Sequence, residues 1–260
     1  MQAYNQTARL QQTFATQWTG LRSFNNRVKA LLTQYVVLNA TEKELGNTFI
    51  DAACGRGGDI QKWDSSAQIA QQNIEVWGID IAQDAVREAN RRFEELKCQH
   101  VSFMALTGDV TMYGGETDRC LAGMIMHFCI NYLWKPSLDA LLENMHKSMI
   151  PQSIVSVIFT NHDNLHLAPF DMVTAHTDTE YSFTLGGLVN NVPEYKVTLK
   201  QLVERFERHR FKTLHAWSTL GEASQFLAPI SRFLKPPKPM TDVELNITKC
   251  YGVCVFVATE

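Results

Sequence analysis

The chain has 260 residues, a formal net charge of −3, 45% apolar residues and six cysteines that form no C-x-x-C pair. The apolar share supports a packed core and excludes a disordered chain. The charge excludes a cationic coat, so any nucleic-acid site has to be a local basic patch. Scattered cysteines argue against zinc and fit a reducing compartment. The length sets one large domain. The polar start Met1-Gln2-Ala3-Tyr4-Asn5-Gln6 lacks a signal peptide's apolar stretch, and no run approaches the roughly 20 apolar residues of a membrane helix.

Over 6–38, Leu10, Phe14, Trp18, Leu21, Phe24, Val28, Leu31 and Leu32 recur three or four apart, which predicts two helices bent near Thr19-Gly20. The stretch Arg22–Lys29 holds more hydrogen-bond donors than a packing helix needs. Strands are predicted over 48–52, 76–80, 101–105 and 121–126, and helices over 59–71, 83–97 and 137–149. Pro151 ends the last helix and Ser153–Phe159 reads as a fifth strand. Such a βαβ series predicts a mostly parallel central sheet with helices on both faces. Residues 161–180 are mixed and polar. Tyr181–Leu185, Gly186-Gly187 and Leu188–Val192 predict an antiparallel hairpin insertion, followed by a short strand at Tyr195–Val197. A helix over 198–210 starts at Thr198 as N-cap. Residues 221–240, with Lys235-Pro236-Pro237-Lys238-Pro239, read as loop, and Cys250–Val257 as a closing strand with Cys250 and Cys254 on one face.

Chemistry concentrates in Phe49-Ile50-Asp51-Ala52-Ala53-Cys54-Gly55-Arg56-Gly57-Gly58-Asp59. A strand, a glycine turn and a helix make a nucleotide-sized crevice in an open α/β sheet. Trp77-Gly78-Ile79-Asp80-Ile81 is a second strand ending in an acid, placed to hold the hydroxyls of a ribose. The dinucleotide pattern G-x-G-x-x-G is missing, and a carboxylate at the turn suits a cationic ligand better than a pyrophosphate. S-adenosylmethionine, with its sulfonium and ammonium groups, fits. The pair His162-x-x-x-His166 has no third ligand nearby, so no metal is expected.

Four separated segments together resemble the mRNA cap (guanine-N7) methyltransferases. Leu21–Lys29 is similar to the family's L-R-N-F-N-N-x-x-K helix. Asp51–Trp63 with Gly78–Ala82 is similar to D-L-x-C-G-K-G-G-D-L-x-K-W and G-I-D-I-A. His127–Tyr132 is similar to Q-F-x-x-H-Y, and Tyr181–Val197 to the F-x-L and V-x-x-x-x-E-Y-x-V hairpin. The departures are Ala53 for glycine, Arg56 for lysine, His127 for glutamine, Asn131 for histidine, and the fifth strand's proline, replaced near Thr160.

The resemblance implies a Rossmann-like class I S-adenosylmethionine-dependent methyltransferase of one domain. Its parts are N-terminal helices over 1–45, a cofactor-binding core over 46–160, and a cap-binding hairpin with closing strands over 161–260. It implies methyl transfer to N7 of the guanine cap by in-line displacement. N7 carries a free lone pair, so no acid or base is required and no metal. Cofactor-binding positions carried over are Lys29, Ala53, Gly55, Asp59, Asp80, Asp109, Val110, His127 and Tyr132. Cap-binding positions are Asn25, Arg56, Lys62, Arg92, Phe128, Asn131, Glu194 and Tyr251, with Glu194 and Tyr132 positioning the reactants. Two other functions stay open on these residues: a non-catalytic cap- or RNA-binding subunit, and a methyltransferase for another RNA base or a small molecule. The implied partner is the capped mRNA 5′ end, and no membrane. The short leader suggests a compact viral-type enzyme or a domain of a larger capping protein, fused to or associated with an RNA triphosphatase or guanylyltransferase. The location implied is intracellular: cytoplasmic for a cytoplasmically replicating virus, nuclear otherwise.

Overall fold

The computed structural model describes residues 18–112, 120–169, 172–185, 189–231 and 234–260. The first predicted N-terminal helix and the hairpin tip Gly186-Gly187-Leu188 lie outside the described residues. The second helix, α1, runs as one piece over Thr19–Glu42. Its apolar positions Leu21, Phe24, Val28, Leu31, Leu32 and Val36 are all buried, as a 3.6-residue period requires.

A central sheet follows: β1 (Thr48–Ala52), β2 (Ile74–Asp80), β3 (Val101–Thr107), β4 (Leu121–His127) and β5 (Met149–Thr160). These strands alternate with α2 (Ile60–Ala70), α3 (Gln83–Leu96), the single turn α4 (Ile130–Leu133) and α5 (Pro136–Ser148). Proline at the start of α5 costs no helical hydrogen bond. A three-stranded antiparallel sheet is inserted after β5, from β6 (Val173–Ala175), β7 (Glu180–Leu185) and β8 (Val189–Tyr195). The chain returns through α6 (Leu199–Arg208), β9 (Phe211–Trp217), α7 (Leu220–Phe226), α8 (Asp242–Lys249) and β10 (Tyr251–Ala258).

The large sheet has the order β3-β2-β1-β4-β5-β10-β9, parallel from β3 to β5, with β10 antiparallel to both neighbours. Helices cover both faces. The cluster of α1, α2 and α3 residues packs on one side, and Leu138, Leu142, Leu202 and Phe206 of α5 and α6 pack on the other. In-register pairing of Ala52 with Ile79 and of Asp80 with Thr107 brings the ends of β1, β2 and β3 level at one edge. Strand order reverses between β1 and β4, where open α/β sheets bind ligands.

Several expectations need correction. Phe211–Trp217 is an edge strand, where the predicted helix was the last element before the loop. The predicted loop over 221–240 contains most of α7. Tyr195 ends β8, and Val197 makes only a single parallel bridge to Asn161. Cys250 follows α8 and packs with the α1 side, whereas Cys254 packs with the α5 side, so they do not share a face. Thr198 is the N-cap of α6, within a full capping box with Gln201.

Candidate functional site

The loop after β1 turns by left-handed backbone angles at Ala53 (φ 54°), Gly55 (φ 54°) and Gly57 (φ 70°). Glycine adopts these freely, whereas Ala53 is held there at a cost of roughly 1–2 kcal/mol. Gly57 has no room for a side chain, since an added Cβ would lie 2.6 Å from Ile60 Cδ1. An added Cβ at Gly55 would meet no protein atom within 4 Å, so that edge of the loop is open to a ligand. Asp80 stabilises the turn from the next strand. Its Oδ2 accepts from the Gly55 amide at 2.8 Å and its Oδ1 from the Ala82 amide at 2.8 Å. Burial pushes its carboxyl up, and the two amides pull it back.

Beyond this turn lies a crevice of about 230 Å³ lined by Ala53, Asp80, Asp109, Val110, Cys129 and Tyr132, among others. It lies along the ends of β1, β2, β3 and β4, and unites five of the nine predicted cofactor positions with Gly55 at its rim. Asp109 is set by a local turn in which its Oδ1 accepts from both the amide (2.9 Å) and the hydroxyl (2.7 Å) of Thr111.

The other cofactor positions form a charged cluster beside the crevice. Asp59 is the residue before α2, but its carboxylate turns to Lys29 Nζ (2.7 Å) and Lys62 Nζ (2.7 Å). Burial alone would raise this carboxyl, yet the two ammonium groups hold it well below the usual range. The buried Asp51 accepts from Trp63 Nε1 at 3.2 Å. Burial, and then the negative charge of Asp59, push its carboxyl up to about 7. His127 is kept neutral, because burial pushes its pKa down to about 3. Its Nε2 meets Ser156 Oγ at 3.1 Å, while its Nδ1 is buried without a protein partner, as is Asn25 Oδ1. Two carboxylates, two ammonium groups and an orphaned imidazole nitrogen match a zwitterionic amino-acid moiety ending in a sulfonium. The residues present therefore fit S-adenosylmethionine. Asp51 was not singled out by sequence reasoning, although it is the first acid of the same motif.

The free Asp51 is stabilised in its protonated form, since its folded pKa lies above the ordinary carboxylate value. A cofactor ammonium requires the ionised form. Affinity for S-adenosylmethionine is therefore expected to fall as pH drops below about 7, approaching about tenfold per pH unit. Asp51→Asn should bind weakly but without this slope. Calorimetry across the range decides it: a flat wild-type profile would remove Asp51 from the ammonium.

A buried polar cluster adjoins the crevice through Tyr132. Glu194, 4% exposed, accepts from Tyr132 Oη at 2.8 Å through Oε1 and from Tyr181 Oη at 2.7 Å through Oε2. Burial pushes its carboxyl up, and hydrogen bonds from Tyr181, Tyr132 and Thr160 pull it back. Tyr181 and Glu194 are directly opposed across β7 and β8, so both side chains leave one face. Tyr181 is the second residue that sequence reasoning passed over. Phe128, at φ 62°, packs edge-on against Tyr251 with ring centres 5.0 Å apart. Tyr251 is enclosed further by Phe183. Asn131 is employed otherwise than as a substrate contact. Its Nδ2 donates to the Thr160 and Tyr195 carbonyls at 2.9 and 3.1 Å, and its Oδ1 accepts from the Thr160 amide at 2.9 Å. It thereby ties the end of β5 to the strand that carries Glu194. Arg92 reaches the Arg56 carbonyl at 3.1 Å and pairs with Glu88, while Lys62 reaches the Gly58 carbonyl at 2.8 Å. Arg56, Arg92 and Lys62 thus gather around the glycine turn.

Parallel strand order, ligand crevice and acidic strand ends define an S-adenosylmethionine-dependent methyltransferase fold. Solved structures agree in fold. The plantazolicin methyltransferase in complex with SAH has a TM-score of 0.62 at 12% identity, covering 99% of this chain and 95% of that one. An S-adenosylmethionine-dependent methyltransferase from Clostridium acetobutylicum has a TM-score of 0.56 at 11% identity, covering 88% and 91%. The family model of the mRNA (guanine-N(7))-methyltransferase domain matches residues 1–165, and the chain belongs to that family. Among curated relatives, the mRNA cap guanine-N(7) methyltransferase of Saccharomyces cerevisiae is 32% identical over 235 residues, 72% of this chain and 50% of the relative. That of Candida glabrata is 26% identical over 235 residues, 72% and 52%. The chain spans about half the length of these relatives.

Proposed function

We propose that the chain transfers the methyl group of S-adenosylmethionine to N7 of the guanine cap of mRNA, converting GpppN to m7GpppN. The observation that carries this reading is Tyr132. It lines the cofactor crevice and donates to Glu194, so the crevice and a buried carboxylate are neighbours with one side chain between them. Two oxygens held by hydroxyl donors form an acceptor edge that suits the N1–H and exocyclic amine of guanine. Bound S-adenosylmethionine supplies an electrophilic methyl group. The chain's own residues hold the reactants in line, and no group has to remove a proton. Proximity and alignment then make the main catalytic contribution, and Glu194 favours the positive charge that guanine gains.

In this reading Lys29 meets the cofactor's carboxylate, Asp51 and His127 its amino group, Asp80 the ribose and Asp109 with Val110 the adenine. Asn25, Phe128 and Tyr251 border the guanine, and Arg56, Arg92 and Lys62 face the cap phosphates. Asn131 acts as a positioning residue for Glu194. The partner is the capped 5′ end of mRNA, with an RNA triphosphatase or guanylyltransferase as associate. All six cysteines are free thiols, which supports an intracellular location.

The test is transfer of labelled methyl from S-adenosylmethionine to GpppA, GTP and guanosine, and to small-molecule acceptors. Transfer to GpppA with guanosine far poorer is expected. Cofactor binding without transfer would instead identify a non-catalytic subunit.

A further inference from the structure

Between α1, α2 and the stretch after residue 233 lies a groove of about 570 Å³ that the cofactor and guanine do not account for. Its lining contains Arg27, Lys235 and Lys62, the last paired with Asp59 at 2.7 Å, and no acidic residue among the described ones, in a chain of net charge −3. Ser23, Asn26 and Gln61 add hydroxyl and amide groups along it. These are the donor-rich helix stretch and the Lys-Pro segment that the sequence singles out. The two are joined: Arg27 Nη1 donates to the Leu234 and Lys235 carbonyls at 3.0 and 2.7 Å, and the Lys238 amide donates to Ser23 Oγ at 3.0 Å. Arg27 is thereby spent on holding the segment. Lys235 and Lys238 stay exposed, with no acidic partner among the described residues.

The groove begins at Gly58 and Lys62, directly after Arg56, on the turn assigned above to the cap phosphates. We propose that it carries the RNA chain beyond the cap, as single-stranded backbone held through its phosphates and 2′-hydroxyls. This rests on the cap reading and extends it. Cations and neutral donors on a fixed segment suit a sequence-independent backbone contact. An acidic peptide would use the cations, but would have no reason to start at the triphosphate.

The experiment compares GpppA with a capped RNA of about ten nucleotides, a length within the span that single-strand sites cover. Methyl transfer is measured against salt for wild type and K235A/K238A. Wild type should show a lower KM for the capped RNA, with a steep salt dependence. The double variant should keep its KM for GpppA and lose about 1.4 from the log–log salt slope for the RNA, since each single-strand phosphate contact contributes about 0.7. Equal KM for both substrates in wild type, or an unchanged slope in the variant, would overturn the path. A wild type that fails to methylate GpppA would overturn the cap reading, and this path with it.

Discussion

Glu194→Gln is expected to slow methyl transfer by on the order of 10²–10³, the loss of one preorganised electrostatic contact. The substitution keeps shape and one acceptor, but turns an amide donor toward guanine's own donors. It also removes the charge that favours cationic N7-methylguanine. Two phenols hold this carboxylate in the free protein, at 2.8 and 2.7 Å, so the geometry exists before substrate arrives. Because burial raises its pKa, activity should fall as pH drops through that raised value, and the Gln variant should lose this limb. Cofactor affinity should barely change. Single-turnover transfer to a capped dinucleotide, beside cofactor calorimetry, is the measurement. A Gln variant within about threefold of wild type, far short of such a contact's worth, would place guanine elsewhere.

Asp80→Ala should weaken cofactor binding by on the order of 10²–10⁴, the worth of two charge-assisted hydrogen bonds at about 1.5–3 kcal/mol each. Asp80 has a second task, because it also binds the Gly55 and Ala82 amides. Losing the acceptor for Gly55 loosens the turn proposed to carry the methionine part. Asp80→Asn keeps one acceptor and should fall between Ala and wild type. Unchanged S-adenosylmethionine affinity in a folded Ala variant, with folding checked by thermal melting, would refute the ribose assignment.

Much of this site was legible because its chemistry is local. Ala53, Gly55 and Asp59 lie in one loop after β1, and Asp80 ends the adjacent strand, so a motif reading reaches them together. Thr198 announced its helix by the same local logic. What escaped is tertiary. Phe211–Trp217 is a half-exposed edge strand whose alternation is weak, with Lys212 and Leu214 both outward-facing. The prolines at 236, 237 and 239 hid the short helices on either side. Tyr181 becomes a partner of Glu194 only through the register of β7 on β8. Asn131 looked like a substrate contact by its place in the motif, but three backbone bonds to residues 29 and 64 positions away occupy it.

The position of the transferred methyl group tests the account most directly. GpppA is incubated with the chain and S-adenosylmethionine, the product is cleaved to mononucleotides, and the methylated species is identified by chromatography and mass. The account predicts 7-methylguanosine monophosphate as the sole methylated nucleotide. Methyl on the adenosine or on a ribose hydroxyl, or none on either nucleotide while cofactor binds, would contradict it.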